Sequence, residues 1–331
     1  MSLLQLAPRA AVVAATIALG ALGALSPRSL PAQRPGTPVE LPARLIAGRF
    51  YVYPVTERGD TLTLFTDTGG GLWLASDAVA RLGLSARVEG VQGADTARSV
   101  ALPAFRAGAA IPEPLGQAGG RLFVFPSSQA RDLGADWSGM LGQSWFYGRV
   151  WTFDYPRQKL ILHPSSASVP RDAAHTVPLA FKRDSAGRAV NAFPRIRVVV
   201  DGDSLDMLFD TGATARVPDS VVAQLGGPRG ERATSFITTD VFERWRTRHP
   251  EWRVVANADA VPGMSAIEVP RLSVAGFDVG PVWFTQRPDR SFHSYMAQWM
   301  DKPTDGALGG SALQYFRITV DYPNAVAVFA R

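Results

Sequence analysis

The chain has no cysteine among its 331 residues. That excludes disulfides, thiolate metal sites, a cysteine nucleophile and a lipid-bearing cysteine. Its four histidines, His163, His175, His249 and His293, never take the i, i+4 spacing with which a helix holds zinc. Residues 34–331 contain neither Gly-x-Ser-x-Gly nor a phosphate-cradling glycine loop. No metal and no cofactor is expected. Lysine is scarce, with Lys159, Lys182 and Lys302 the complete set, and the net charge of +5 comes from scattered arginines. A scattered basic balance forms no stripe for a phosphate backbone, so no nucleic-acid partner is expected.

Long apolar runs are also scarce. The one present, Ala10 to Leu25, is uncharged, follows Arg9 and is rich in alanine, glycine and leucine. It is too short and too weakly apolar for a comfortable membrane span. A basic start, an apolar stretch and small residues after it have the layout of an export signal. Residues 1–33 are therefore expected to be a signal peptide, cleaved after Ala21-Leu22-Gly23 or Leu30-Pro31-Ala32. The protein is expected in the periplasm or outside the cell, with no stable membrane association after cleavage. Losing Arg9 and Arg28 leaves a charge of +3.

What is present is globular: 46% hydrophobic and 19% charged residues, with 31 glycines and 25 prolines that favour turns and short strands over long helices. The chain also repeats itself. "GDTLTLFTDTG" (59–69) aligns without gaps on "GDSLDMLFDTG" (202–212), placing Asp210 143 residues after Asp67. "VARLG" (79–83) lies over "VAQLG" (222–226) at the same offset. "GMLGQSWFYGRVWTFDYP" (139–156) aligns on "GALGGSALQYFRITVDYP" (306–323), now at an offset of 167. The second copy thus holds 24 extra residues between its blocks, assigned mostly to an insert near 229–262 with a helix at Val241–Arg248. Two homologous halves follow, 40–165 and 175–331, joined by the Ser/Pro-rich "HPSSASVPRDAAH" (163–175). The alternation of Ile196, Val198 and Val200 before Asp201-Gly202 predicts a hairpin that runs into the second Asp-Thr-Gly. Short helices are expected at Asp77–Leu82 and Asp219–Leu225.

Asp-Thr-Gly occurring twice, each time after an apolar run and inside a matching context, resembles the aspartic peptidases of the pepsin and retropepsin type. "GGLWLAS" after the first motif is similar to the Leu-Trp segment of pepsin's first half. The resemblance covers both halves. It implies an all-β, bilobal fold of two homologous barrel-like halves with short helices. It implies an endopeptidase whose catalytic pair is Asp67 and Asp210, sharing one proton because two close carboxylates cannot both ionise. Thr68 and Thr211 would cross-link the two loops. Gly69 and Gly212 would let backbone approach the carboxylates. Leu141-Gly142 and Leu308-Gly309 would cross behind the aspartate loops. The implied substrate is a peptide or protein in extended conformation, and a chain with both halves is expected to act as a monomer.

Two other readings belong beside this one. A protein of the same fold could bind peptides with a silent dyad, since fold does not dictate function. "VVVDGDSL" (198–205) loosely resembles the Asp-x-Asp of Mg-dependent phosphatases, with Asp201 and Asp203 as its carboxylates. The repeat argues against that, because Arg58 stands where Asp201 does, a swap that a turn tolerates and a nucleophile does not. Three departures from the pepsin pattern are also visible. Thr66 replaces an apolar residue before the first aspartate. The expected flap region, 88–104, has no Tyr or Trp. Gly70 and Ala213 stand where pepsin-like sequences carry a hydroxyl that bonds the carboxylate, so both dyad pKa values are expected to be higher than in pepsin.

Overall fold

The computed structural model describes residues 36–331, apart from 93–94, 116–119, 133–136, 170–171, 227–228 and 262. The expected signal peptide lies outside the described residues.

Among the described residues, short apolar runs broken by glycine and proline become short strands in four sheets. In the first half, an eight-stranded sheet is built around the strand Leu64–Thr66, which ends at the first motif. Gly139–Leu141 runs parallel to it and is flanked on its other side by Trp73–Ala75, antiparallel. Trp73–Ala75 in turn pairs in parallel with Arg121–Phe125. The outer edge is a hairpin, Arg87–Gln92 with Asp95–Ala101.

The second half repeats this connectivity in a nine-stranded sheet. Asp203–Phe209 leads into the second motif and runs parallel to Gly306–Leu308. Ser235–Thr238 pairs antiparallel with Gly306–Leu308 and parallel with Val282–Arg287. Asp201 and Gly202, at φ of 50° and 82°, turn Arg195–Val200 into Asp203–Phe209, as the Asp-Gly signal predicts.

Strand pairing relocates most of the extra residues. Met140 faces Trp73 in the first half, and its repeat partner Ala307 faces Phe236 in the second. The strand after the second motif is therefore Ser235–Thr238, not the stretch directly following Gly212. Twenty of the 24 extra residues fall between Gly212 and Phe236. They form a separate hairpin, Thr214–Val217 with Gly230–Ala233, which carries the short helix Val222–Leu225. The counterpart of the helix Ser76–Arg81 is Thr239–Arg248, not 219–225. The "VARLG"/"VAQLG" match is a likeness without equivalence of position. Thr239–Arg248 lays Val241, Phe242 and Trp245 on the sheet and turns Arg244, Arg246 and Arg248 outward.

Both halves meet in a six-stranded sheet. Val150–Asp154 pairs antiparallel with its repeat equivalent Arg317–Asp321, and Thr152 faces Thr319. These two threonines are 167 residues apart, so each faces its own counterpart and marks a pseudo-two-fold axis. Their hydroxyls bond at 2.6 Å. The core is continuous across the two halves and includes the fully buried Trp145, Trp151, Trp245, Phe153 and Phe209.

Candidate active site

Each motif begins where a strand runs out. The Asp67 N–H donates to Leu141 O at 3.1 Å, and the Asp210 N–H donates to Leu308 O at 3.0 Å. The parallel neighbour behind each loop thus fixes the start of the loop. The following glycine must stay bare: a Cβ on Gly142 would lie 1.9 Å from Gly71 O, and one on Gly309 2.1 Å from Thr234 O. Leu141, Gly142, Leu308 and Gly309 therefore pack directly behind the two Asp-Thr-Gly turns.

The turns are knitted together by their threonines. The Thr68 N–H donates to Thr211 Oγ1 at 3.1 Å, and the Thr211 N–H donates to Thr68 Oγ1 at 3.0 Å. Thr68 Oγ1 donates across the interface to Phe209 O at 2.6 Å. Both side chains are buried.

This grip brings the carboxyls together. Asp67 lies against Gly212 and Asp210 against Gly69, so each carboxyl is seated on the opposite loop. Each also accepts from the glycine two residues on: Gly69 N–H to Asp67 Oδ1 at 2.8 Å, Gly212 N–H to Asp210 Oδ1 at 2.9 Å. The glycines explain how the carboxyls fit. A Cβ on Gly212 would stand 2.2 Å from Asp67 Cγ, and one on Gly69 would stand 2.6 Å from Asp210 Cγ. Each carboxyl lies against the backbone of the opposite loop, where a side chain cannot be accommodated.

The surroundings favour the neutral form of both carboxyls. Burial raises the Asp67 carboxyl above its ordinary range. Burial first, and then the charge of Asp67, hold Asp210 well above that range. No hydroxyl from position 70 or 213 opposes this. Position 70 has little room for one, since a Cβ there would lie 2.6 Å from Asp67 Oδ2 and 2.2 Å from Met140 Sδ.

Asp201 and Asp203 are elsewhere. They sit at the far end of the strand leading to Asp210 and pair with the end of the helix Thr239–Arg248. Arg248 bonds both at 3.2 Å, and His249 Nε2 bonds Asp201 at 2.6 Å. Among the described residues no cluster of three or more metal-ligating side chains occurs.

Two residues near the dyad have no signal in the repeat. Arg49, on the strand Arg49–Val52, is buried and ion-paired with Glu231 of the insert hairpin. Tyr51 faces Phe65 as Arg195 faces Leu208, so Phe193 takes the place of Arg49 in the second half. Glu231 lies in the insert and has no counterpart at all. A lone arginine opening the aromatic run "RFYVY" is the one hint the sequence offered.

Two lobes of matching connectivity, a central strand crossing behind each Asp-Thr-Gly turn, and two carboxyls each seated against the opposite loop define the pepsin-like aspartic-peptidase fold. No protein-family model matches the chain, and no curated protein matches it. Among solved structures it is similar to an aspartic proteinase from Irpex lacteus, at 14% identity over 89% of this chain and 97% of that one, with a TM-score of 0.49. It is also similar to the basic 7S globulin from soybean, at 9% identity over 89% of this chain and 95% of that one, with a TM-score of 0.46.

Proposed function

We propose that this chain is an exported aspartic endopeptidase that hydrolyses peptide bonds with a water held between Asp67 and Asp210. The observation that carries the reading is the seating of each carboxyl against the opposite loop's glycine, with each also accepting the N–H of its own loop's glycine. One carboxyl is ionised and the other protonated. The ionised one takes a proton from the water as its oxygen bonds to the peptide carbon. The protonated one gives its proton to the carbonyl oxygen. The product of this step is a neutral gem-diol, and the dyad again carries one proton. In the second step a diol hydroxyl returns its proton to the ionised carboxyl, the nitrogen receives the proton of the other, and the C–N bond breaks. One water is consumed and the dyad ends as it began.

The substrate is a peptide in extended conformation, lying between the lobes and pairing its backbone with strand edges. Export rests on the layout of residues 1–33. With both loops supplied by one chain, the active species is a monomer.

The test is cleavage of a diverse peptide library across pH by wild type, Asp67→Asn and Asp210→Asn. Asn keeps the shape and cannot exchange the proton, so each variant is expected to lose at least about 10²-fold in kcat/KM while remaining folded. EDTA is expected to change nothing. A folded wild type that cleaves no peptide at any pH would support a binding module with a silent dyad instead.

A further inference from the structure

The two loops are close to symmetric, yet a charge stands on one side of them and not the other. Arg49 is 3% exposed. Its guanidinium carbon lies 4.8 Å from the Trp137 ring, 5.1 Å from Phe65 and 5.5 Å from Tyr51. Its Nη2 pairs with Glu231 of the opposite lobe, and its Nε has no hydrogen-bond partner among the described residues. Phe65 and Asp67 are two residues apart on one strand and its continuation, so they project toward the same side. The Arg49 cation over Phe65 thus lies on the side of the strand from which Asp67 continues, and its charge acts on that carboxyl.

Packing does not require that cation. In the second lobe Phe193 occupies the matching place, buried with Leu208, Phe292 and Met296. The fold fills this position with hydrocarbon when nothing else is asked of it. A buried ion pair is seldom retained for stability, since apolar replacements of similar volume serve as well or better.

We propose that Arg49 is a positioning residue of the dyad: it holds the single negative charge on Asp67 and so leaves the shared proton on Asp210, with Glu231 setting the strength of its field. This rests on the peptidase reading of the same site and assigns its roles. Asp67 is the base that takes the water proton, and Asp210 is the acid that protonates the carbonyl oxygen. Burial works against the ionised form of Asp67, and the Gly69 N–H and the Arg49 charge work for it, whereas burial and the charge of Asp67 are the leading influences on Asp210 and keep it protonated. Among the described residues, other charged and titratable groups facing the pair are few. Tyr51 on the same strand is pushed up to about 12, chiefly by burial, and stays neutral. Arg216, from the first strand of the insert hairpin, acts on Glu231. Tyr155 and Tyr322, buried near the dyad, are raised by burial and stay neutral in acid.

Glu231 weakens the device. While ionised and paired with Arg49 it cancels part of the arginine's field on Asp67, so a neutral side chain in its place leaves Asp67 ionised further into acid.

The experiment follows the dyad directly. Protein carrying [13Cγ]-aspartate is titrated by carboxyl NMR, and kcat/KM is measured against pH, for wild type, Arg49→Met, Arg49→Lys and Glu231→Gln. Both readouts report apparent values of the pair, which suffices here. Glu231→Gln is expected to lower the lower apparent pKa, and the acid limb of kcat/KM, by about half a unit or more. Arg49→Met is expected to raise both by a similar amount, and Arg49→Lys to restore most of the shift. Folded Glu231→Gln with its dyad titration within about 0.2 units of wild type overturns the proposal, as do shifts of one sign in Glu231→Gln and Arg49→Met. If Arg49→Met fails to fold, Glu231→Gln decides alone. The NMR titration needs no turnover, so an inactive wild type refutes the peptidase reading and leaves this measurement standing, while an active enzyme with an unmoved titration refutes only the role of Arg49.

Discussion

Thr68→Val removes one hydroxyl and keeps the shape of the side chain, so it isolates the grip between the loops. In the native protein that hydroxyl donates to Phe209 O at 2.6 Å and accepts from the Thr211 N–H at 3.0 Å. Thr68 is wholly buried, so water cannot replace either bond. Each buried polar group left unmet costs about 1–3 kcal/mol, and two are orphaned, so the variant is expected to lose about 2–6 kcal/mol. For a chain of this size that corresponds to a fall in Tm of about 3–9 °C. Thr68→Ser keeps both bonds and gives up one methyl group, a loss of about 1 kcal/mol. The assay is calorimetric melting of wild type and both variants at one pH and protein concentration. The contrast matters more than either value. A Thr68→Val protein melting within about 2 °C of wild type, or no better separated from it than Thr68→Ser, would show that the cross-bonds do not hold the loops together.

Gly212→Ala places a carbon about 1 Å inside ordinary contact with the Asp67 carboxyl, and a misplacement of that size is expected to lower kcat by about 10²-fold; peptide cleavage within about threefold of wild type would contradict the close approach. Stability should also follow the dyad. Both aspartates have folded pKa values above their unfolded ones, so the folded state binds more protons, and their contribution is full below the ordinary carboxylate range and lost as pH rises through the raised values. Asp210→Asn is therefore expected to gain in Tm over wild type near pH 7 and not near pH 3, and equal differences at both would count against a shared proton. The rate profile is expected to peak in weak acid, roughly pH 4–6, and Ala213→Thr, which adds a hydroxyl beside Asp210, to move it toward acid; a wild-type optimum below about pH 3 would count against the missing-hydroxyl argument.

The all-β, two-lobed architecture was legible because the chain states it twice. Offsets of 143 and 167 are read from the residues alone, and pairing of Thr152 with Thr319 places the second offset on an axis. The insert was harder to locate. Four matching residues in five, "VARLG" and "VAQLG", outweighed the more distant fact that Phe236 and Trp73 face equivalent partners. Strand pairing is a non-local choice, and a short local likeness carries no information about it. Arg49 and Glu231 escaped for a related reason. A search built on duplication finds what both halves share, whereas Arg49 differs from Phe193 and Glu231 has no partner in the first half. Asymmetry at the centre of a symmetric frame has to be seen in three dimensions.

The six-stranded sheet bears on how such a chain could be assembled. Cut at the join, the first half would present Val150–Asp154 as an open edge. That edge already pairs antiparallel with its own repeat equivalent, centred on one threonine from each side. An edge that complements its own equivalent in this way is a recipe for a two-fold homodimer. Two identical halves could therefore close one sheet and bring two identical Asp-Thr-Gly loops together. Fusing them replaces an encounter that depends on concentration with one fixed by covalent linkage. It also frees each half to change alone, and an arginine beside one aspartate with a phenylalanine in the matching place beside the other is a difference that no identical pair could hold.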